Sequence, residues 1–169
     1  MNDQPRLGID IGRVIIDGPA HPDGGDTAFF SGDEQTMLAT PEMPDARNAI
    51  ARLVARFGGN VWLVSKCGPR VQERTLRWLA AHEFHERTGI PPDHVRFCRT
   101  RGDKRYHCID LGLTHFVDDR PEVHEAITGV VRHQFLFGPQ SGGGLPYATS
   151  APTWTDAERL IIATLEPGG

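Results

Sequence analysis

The feature that most constrains this chain is an alternation of short apolar runs with amphipathic stretches, in which charged or hydroxyl side chains fall where the apolar runs stop. Leu7 to Ile16 reads as an apolar strand interrupted by Asp10, Gly12 and Arg13. A charge inside such a run is costly unless it stands at a strand end and faces a ligand. From Pro44 the pattern turns helical: Ala46, Ile50, Leu53, Val54 and Phe57 share one face, and Gly58-Gly59 ends it. A buried strand is expected over Asn60 to Val64, then a Ser65-Lys66-Cys67-Gly68 turn. The helix after it carries Val71, Leu76, Trp78 and Leu79 and is expected to reach Arg87 before Gly89 and Pro91-Pro92 break it.

Val95 to Cys98 is the next strand, Asp103 to Leu111 a helix stopped by Gly112, and His115 to Val117 another strand. Pro121 can open a helix, Val130 to Phe137 is expected to be the last strand, and Ser141 to Gly144 reads as a loop. A closing helix over Thr155 to Leu165 has Thr155 or Asp156 near its N-cap. Strands and helices in this rhythm imply right-handed crossovers and a parallel sheet covered on both faces. The expected fold is therefore α/β, a Rossmann-like three-layer sandwich with a mainly parallel central sheet. Residues 1–169 are expected to form one domain. The Gly-, Pro- and Asp-rich segment at about 17–44 reads as a flap or small cap, with a short hairpin or helix near Thr27 to Phe30.

Composition narrows the partners. The 169 residues carry a formal net charge of −4, with 24% charged and 38% hydrophobic residues. The arginines are scattered, so the basic footprint of a duplex nucleic acid-binding protein is missing. The longest apolar runs, such as Val61 to Val64, fall far short of the roughly 20 residues that span a bilayer. Met1 to Pro5 lacks the regions of a signal peptide, so the expectation is a cytoplasmic protein with no membrane partner. Cys67, Cys98 and Cys108 are an odd set without CxxC spacing and read as reduced, packed thiols. His82 and His85 stand three apart without a suitable acid partner and read as surface histidines, and the Trp and Phe residues as core.

Four polar features border apolar strands: Asp10; Ser65 with Lys66; Lys104; and Asp118 with Asp119. In an open parallel sheet, ligands bind at the carboxyl ends of the strands, so three of these features are expected to converge on one crevice with Lys104 close by. Each has a plainer reading. Asp10 could cap a turn, Ser65 could cap the following helix, Lys104 could be a solvated charge in the Arg99 to Arg105 patch, and Asp118-Asp119 could be acids favoured at a helix start.

In that order, Leu7-Gly8-Ile9-Asp10-Ile11-Gly12-Arg13-Val14-Ile15, Trp62-Leu63-Val64-Ser65, Lys104 and Phe116-Val117-Asp118-Asp119 resemble the four motifs of the haloacid dehalogenase superfamily. The resemblance implies a catalytic set of Asp10, Ser65 and Lys104, with Asp10 attacking phosphorus to form an aspartyl-phosphate. It implies a Mg²⁺ cofactor held by Asp10, Asp118, the Gly12 carbonyl and Asp119, the last either through water or by orienting Lys104. Ser65 and Lys66 would hold the phosphoryl group, and Arg13 would contact a substrate phosphate or pair with a flap acid. The implied substrate is a phosphorylated small molecule, a nucleotide or sugar phosphate first. The small cap implies an open site, which in this superfamily accompanies larger substrates or a homo-oligomer.

One position departs from the pattern. Phosphatases of this superfamily usually carry a second Asp two residues after the nucleophile, which moves the leaving group's proton; here that residue is Gly12. Losing such a group costs about 10²–10⁴-fold in rate. Three readings stay open: a phosphohydrolase with a good leaving group or another acid, such as Asp17, His21, Asp23 or Asp26; a phosphotransferase with a long-lived acyl phosphate; or an impaired module that binds phosphate or a partner.

Overall fold

In the computed structural model, residues 4–17, 32–140 and 142–166 are described. Strand β1 (Leu7–Ile9) is followed by helices α1 (Glu34–Leu38) and α2 (Ala46–Arg56), strand β2 (Val61–Lys66), and helices α3 (Pro69–Ala81) and α4 (Phe84–Thr88). Then come β3 (Val95–Cys98), α5 (Lys104–Leu111), β4 (His115–Asp118), α6 (Pro121–Ile127), β5 (His133–Phe137), β6 (Thr149–Ala151) and α7 (Trp154–Leu165). All strands run parallel, in the order β3-β2-β1-β4-β5-β6. The fold is the expected Rossmann-like α/β sandwich. Among the described residues, no helix is long and apolar enough to cross a membrane.

The period-2 alternation of the strands divides the core into two layers. Val61 and Leu63 of β2, with Val117 of β4, join one cluster under α2, α4 and α7, where Ile50, Leu53, Phe84, Trp154 and Ile161 are buried. Trp62, Val64 and Phe116 face the other way, against Cys108, Leu111, Val123 and Ile127 of α5 and α6. Gly8 sits where the second layer presses closest on β1. A Cβ there would lie 2.6 Å from both Leu113 Cδ1 and Phe116 Cδ2, so a larger residue would force those side chains to shift.

Several expectations shift in detail. Strand β2 continues through Ser65 and Lys66 instead of turning at Ser65, because both pair with β3 in register (Ser65 with Phe97, Lys66 with Cys98). The helix expected to run to Arg87 is two helices. Glu83 adopts a left-handed conformation (φ 52°) between them, while the His82 ring stacks on Trp78 and lies 2.8 Å from the Leu38 carbonyl oxygen. His85, likewise, is tied to the Ile90 carbonyl oxygen at 2.8 Å, so neither histidine is a loose surface residue. Strand β5 starts at His133, and β6 is a strand the sequence reading did not anticipate. The N-cap of α7 is Thr153, whose Oγ1 accepts from the Asp156 amide, in place of Thr155 or Asp156. Within the expected flap, α1 is capped by Asp33, whose carboxylate accepts from the Thr36 amide. The hairpin or helix expected near Thr27 to Phe30 lies outside the described residues, as do His21, Asp23 and Asp26.

At the opposite edge of the sheet from the strand ends that carry the acids, His115 is buried. It stacks on His133 with centroids 4.5 Å apart and bonds to Thr114 and Thr164. Burial first, then the charges of His133 and Arg132, push its pKa down to about 3. A histidine whose folded pKa lies below its unfolded value of about 6.5 stabilises the fold fully above that value, and this contribution is lost as pH falls toward 3. The stability difference between wild type and His115→Gln, from urea unfolding, is therefore expected to shrink by about 2 kcal/mol between pH 7.5 and pH 5.

Candidate functional site

The register of the sheet brings the acids together. Ile9 pairs with Val117, and the Asp10 amide donates to the Val117 carbonyl oxygen at 2.9 Å, so Asp10 lies level with Asp118. Paired residues on parallel neighbours point to the same face, here the face of Phe116 and α5. Lys104, the first residue of α5, passes its ammonium 5.7 Å from the centre of the Phe116 ring and reaches both carboxylates. Its Nζ donates to Asp10 Oδ1 at 2.9 Å and to Asp118 Oδ2 at 2.7 Å. Lys104 is 2% exposed and Asp118 fully buried, so Lys104 is not the solvated charge its basic neighbours suggested.

Asp119 completes the cluster: carboxylate oxygens of Asp10, Asp118 and Asp119 lie within 4.8 Å of one another. Three acids crowd one ammonium, which bonds to two of them. Burial, then the Asp10 charge, pushes the Asp118 carboxyl up to about 7. Burial and the charges of Asp10 and Asp118 push Asp119 up to about 8, with a hydrogen bond to Asp10 adding to the shift. Burial also works against the Lys104 charge, but the two carboxylates outweigh it and raise its pKa. A hard divalent cation suits such a donor set, because it supplies the positive charge that these closely packed oxygens lack. Asp118 is the most committed member: Lys104 holds Oδ2, and the Arg120 amide donates to Oδ1 at 2.9 Å. Asp119 is half-buried, with its carboxyl hydrogen-bonded to Asp10.

Strand β2 extends past the end of β1, which places Ser65 one step beyond the level of Asp10, buried at the same sheet edge. Ser65 is not the cap of α3. That role belongs to Gly68, which offers no side chain. Lys66 is exposed at the end of β2. Gly12 is exposed on the turn that leaves β1, and a Cβ added there meets nothing within 4 Å. Arg13 follows it, half-buried, in a left-handed conformation (φ 62°). Asp17, the described member of the alternative acids, is tied through its amide to the Pro41 carbonyl oxygen.

Support behind the acids comes from residues that sequence reasoning passed over. The fully buried His124 lies with Nε2 2.9 Å from the Asp118 carbonyl oxygen, and Gln134 donates from Nε2 to the His124 carbonyl at 2.8 Å. The Gln140 amide donates to the Asp119 carbonyl at 3.0 Å. A polar Gln134 inside the apolar run Val130 to Phe137 was the available signal, because a buried amide needs partners. Cys67, by contrast, is buried, and burial raises its pKa, which keeps it a neutral packed thiol.

Comparison of the sequence with protein-family models and with curated proteins gives no match. Among solved structures, the chain is similar to a haloacid dehalogenase-like family hydrolase from Xanthomonas campestris, with a TM-score of 0.66 and 11% sequence identity over 94% of this chain and 95% of that one. At that identity the likeness establishes a shared fold, end to end.

Replacing Lys104 by Met is expected to destabilise the protein by about 3–5 kcal/mol at pH 8, because it leaves buried carboxylates without their cation. Urea unfolding checks this.

Proposed function

We propose that this protein is a Mg²⁺-dependent phosphohydrolase that cleaves a phosphomonoester through an aspartyl-phosphate on Asp10. The observation that carries the reading is the Lys104 ammonium bonded at once to Asp10 and Asp118, beside Asp119, at the carboxyl edge of a parallel sheet. This is where an open α/β sheet binds ligands. The neighbour sharing the fold is itself described as a hydrolase.

Lys104 orients Asp10 through Oδ1, and the Asp10 carboxylate attacks phosphorus. The leaving oxygen departs with its proton supplied by solvent or a flap acid, and water then cleaves the acyl phosphate to release phosphate. Asp10, Asp118, Asp119 and the Gly12 carbonyl would hold Mg²⁺, which would supply the positive charge that lets a carboxylate approach a phosphate. The Ser65 hydroxyl donates to a phosphoryl oxygen, and the open first turn of α3 adds backbone donors. Lys66, exposed at the rim, and Lys104 offset charge on the transferring group. A nucleotide or sugar phosphate is the substrate class this reading favours, and a small cap would accompany a larger substrate or a homo-oligomer.

Gly12 favours a second reading, a phosphate-binding module with impaired turnover or a phosphotransferase, since no side chain stands there to move a proton. Purified protein is expected to hydrolyse p-nitrophenyl phosphate or an ester from a metabolite panel only with Mg²⁺, and Asp10→Asn to abolish the activity. Silence across the panel with Mg²⁺ binding intact would favour the module, and a stable acyl phosphate on Asp10 the transferase. The open space at Gly12 also makes a direct repair feasible: Gly12→Asp is expected to raise kcat on a poor leaving group by tenfold or more, within the roughly 10²–10⁴-fold range of general acid–base catalysis. Unchanged kcat would place proton transfer elsewhere.

A further inference from the structure

We infer that Arg13 binds a second anionic group of the substrate, so that the ester this site selects carries a carboxylate or another phosphate besides the phosphoryl group that is cleaved. This rests on the phosphohydrolase reading for the identity of the first group, and on Arg13 itself for the second.

Arg13 breaks two local rules at once. Its φ of 62° lies in the left-handed region, where a side chain crowds its own backbone and glycine is the undemanding choice. Its backbone gains a single bond there, the amide to the Ile16 carbonyl oxygen at 2.9 Å, which glycine would make equally well. Its guanidinium also has a buried Nη2 that donates to nothing, the one such side-chain atom among the described residues. Buried donors normally find partners, and a cation left unsatisfied is costlier than a neutral group. Other arginines of this chain do find acceptors: Arg52 on Glu158, Arg96 on Asp110, Arg99 on the Cys67 carbonyl oxygen.

The place explains what such a group is for. Arg13 lies three residues past Asp10 and immediately after Gly12, on the turn that leaves β1 at the sheet edge carrying the acids. Strain and unsatisfied charge cluster where a ligand completes the site. The acids below are already served by Lys104, whose Nζ reaches two of them. The guanidinium fork matches carboxylate and phosphate oxygens bidentately, whereas a neutral leaving group offers it nothing. Exposed Lys66, at the end of β2, adds positive charge to the same sheet edge.

Titration calorimetry with Mg²⁺ and the Asp10→Asn protein, which cannot turn over, tests this against three probes: inorganic phosphate, 3-phosphoglycerate and adenosine 3′,5′-bisphosphate. One of the two dianchored probes is expected to bind at least tenfold more tightly than phosphate, and which one distinguishes carboxylate from phosphate as the second group. Adding Arg13→Gly is expected to erase that advantage while leaving phosphate affinity within about twofold, and Arg13→Lys to restore only part of it. The melting temperature of Arg13→Gly is expected to hold or rise by roughly 2–4 °C as the strain is relieved. A fall of more than that, equal affinities for all three probes, or equal loss for all three in Arg13→Gly would overturn the inference. Selective binding by a protein whose wild type hydrolyses nothing would sink the hydrolase reading and leave the Arg13 subsite standing; hydrolysis indifferent to Arg13→Gly would do the reverse.

Discussion

One buried ammonium organises this structure. Lys104 lies between Asp10 and Asp118, which come from adjacent strands, and without it the end of the sheet would hold three crowded acids in a medium that screens them poorly. The arrangement is not good packing for its own sake, since an ion pair buried this deeply contributes little net stability over an apolar core of the same volume. Its value lies in the charge pattern: three carboxyls and one cation, with the Asp118 and Asp119 carboxyls pushed up by burial and the Asp10 charge. A donor set of this kind suits a divalent cation, the ion the proposed function calls for.

The rest of the fold can be understood as what holds that pattern in place. Parallel register sets Asp10 level with Asp118, and the pleat turns both toward α5. Lys104, the first residue of α5, then crosses Phe116 and reaches both. Behind Asp118, His124 and Gln134 tie the backbone of β4 to α6 and β5, so the acid cannot drift from its place without breaking a buried network.

Much of this was legible in the sequence, for a physical reason. Buried strands of a parallel sheet read as continuous apolar runs, so the residue that interrupts or ends one stands out, as Asp10 and Asp118 do. Element types came from the 2- and 3.6-residue periods, which tertiary contacts seldom overturn. The misses occurred where a tertiary contact outweighed local pattern: pairing with β3 kept Ser65 and Lys66 in β2, the Trp78–His82 stack accompanied the split between α3 and α4, and short β6 exists because β5 offers it an edge. Lys104 was placed beside the crevice, but its burial was not decided because Arg101 and Arg105 around it also suit a solvated patch. His124 and Arg13 could not be assigned by periodicity at all, since what distinguishes them is a partner in space or the want of one.

The turn from Ile11 to Ile16 is where local preference and fold disagree most: a glycine stands where the superfamily resemblance calls for an acid, and an arginine holds a conformation suited to glycine. Both changes leave the Asp10–Lys104–Asp118 core intact, so they bear on what the site does with a ligand and not on whether it can hold a cation. The most direct test of the central claim is a crystal structure grown with Mg²⁺ and beryllium trifluoride. The account predicts one cation among Asp10, Asp119 and the Gly12 carbonyl, with the trifluoroberyllate joined to the Asp10 carboxylate and within hydrogen-bond reach of Lys104. A cluster that stays without a cation at millimolar Mg²⁺, or a fluoride complex seated on any other residue, would contradict it.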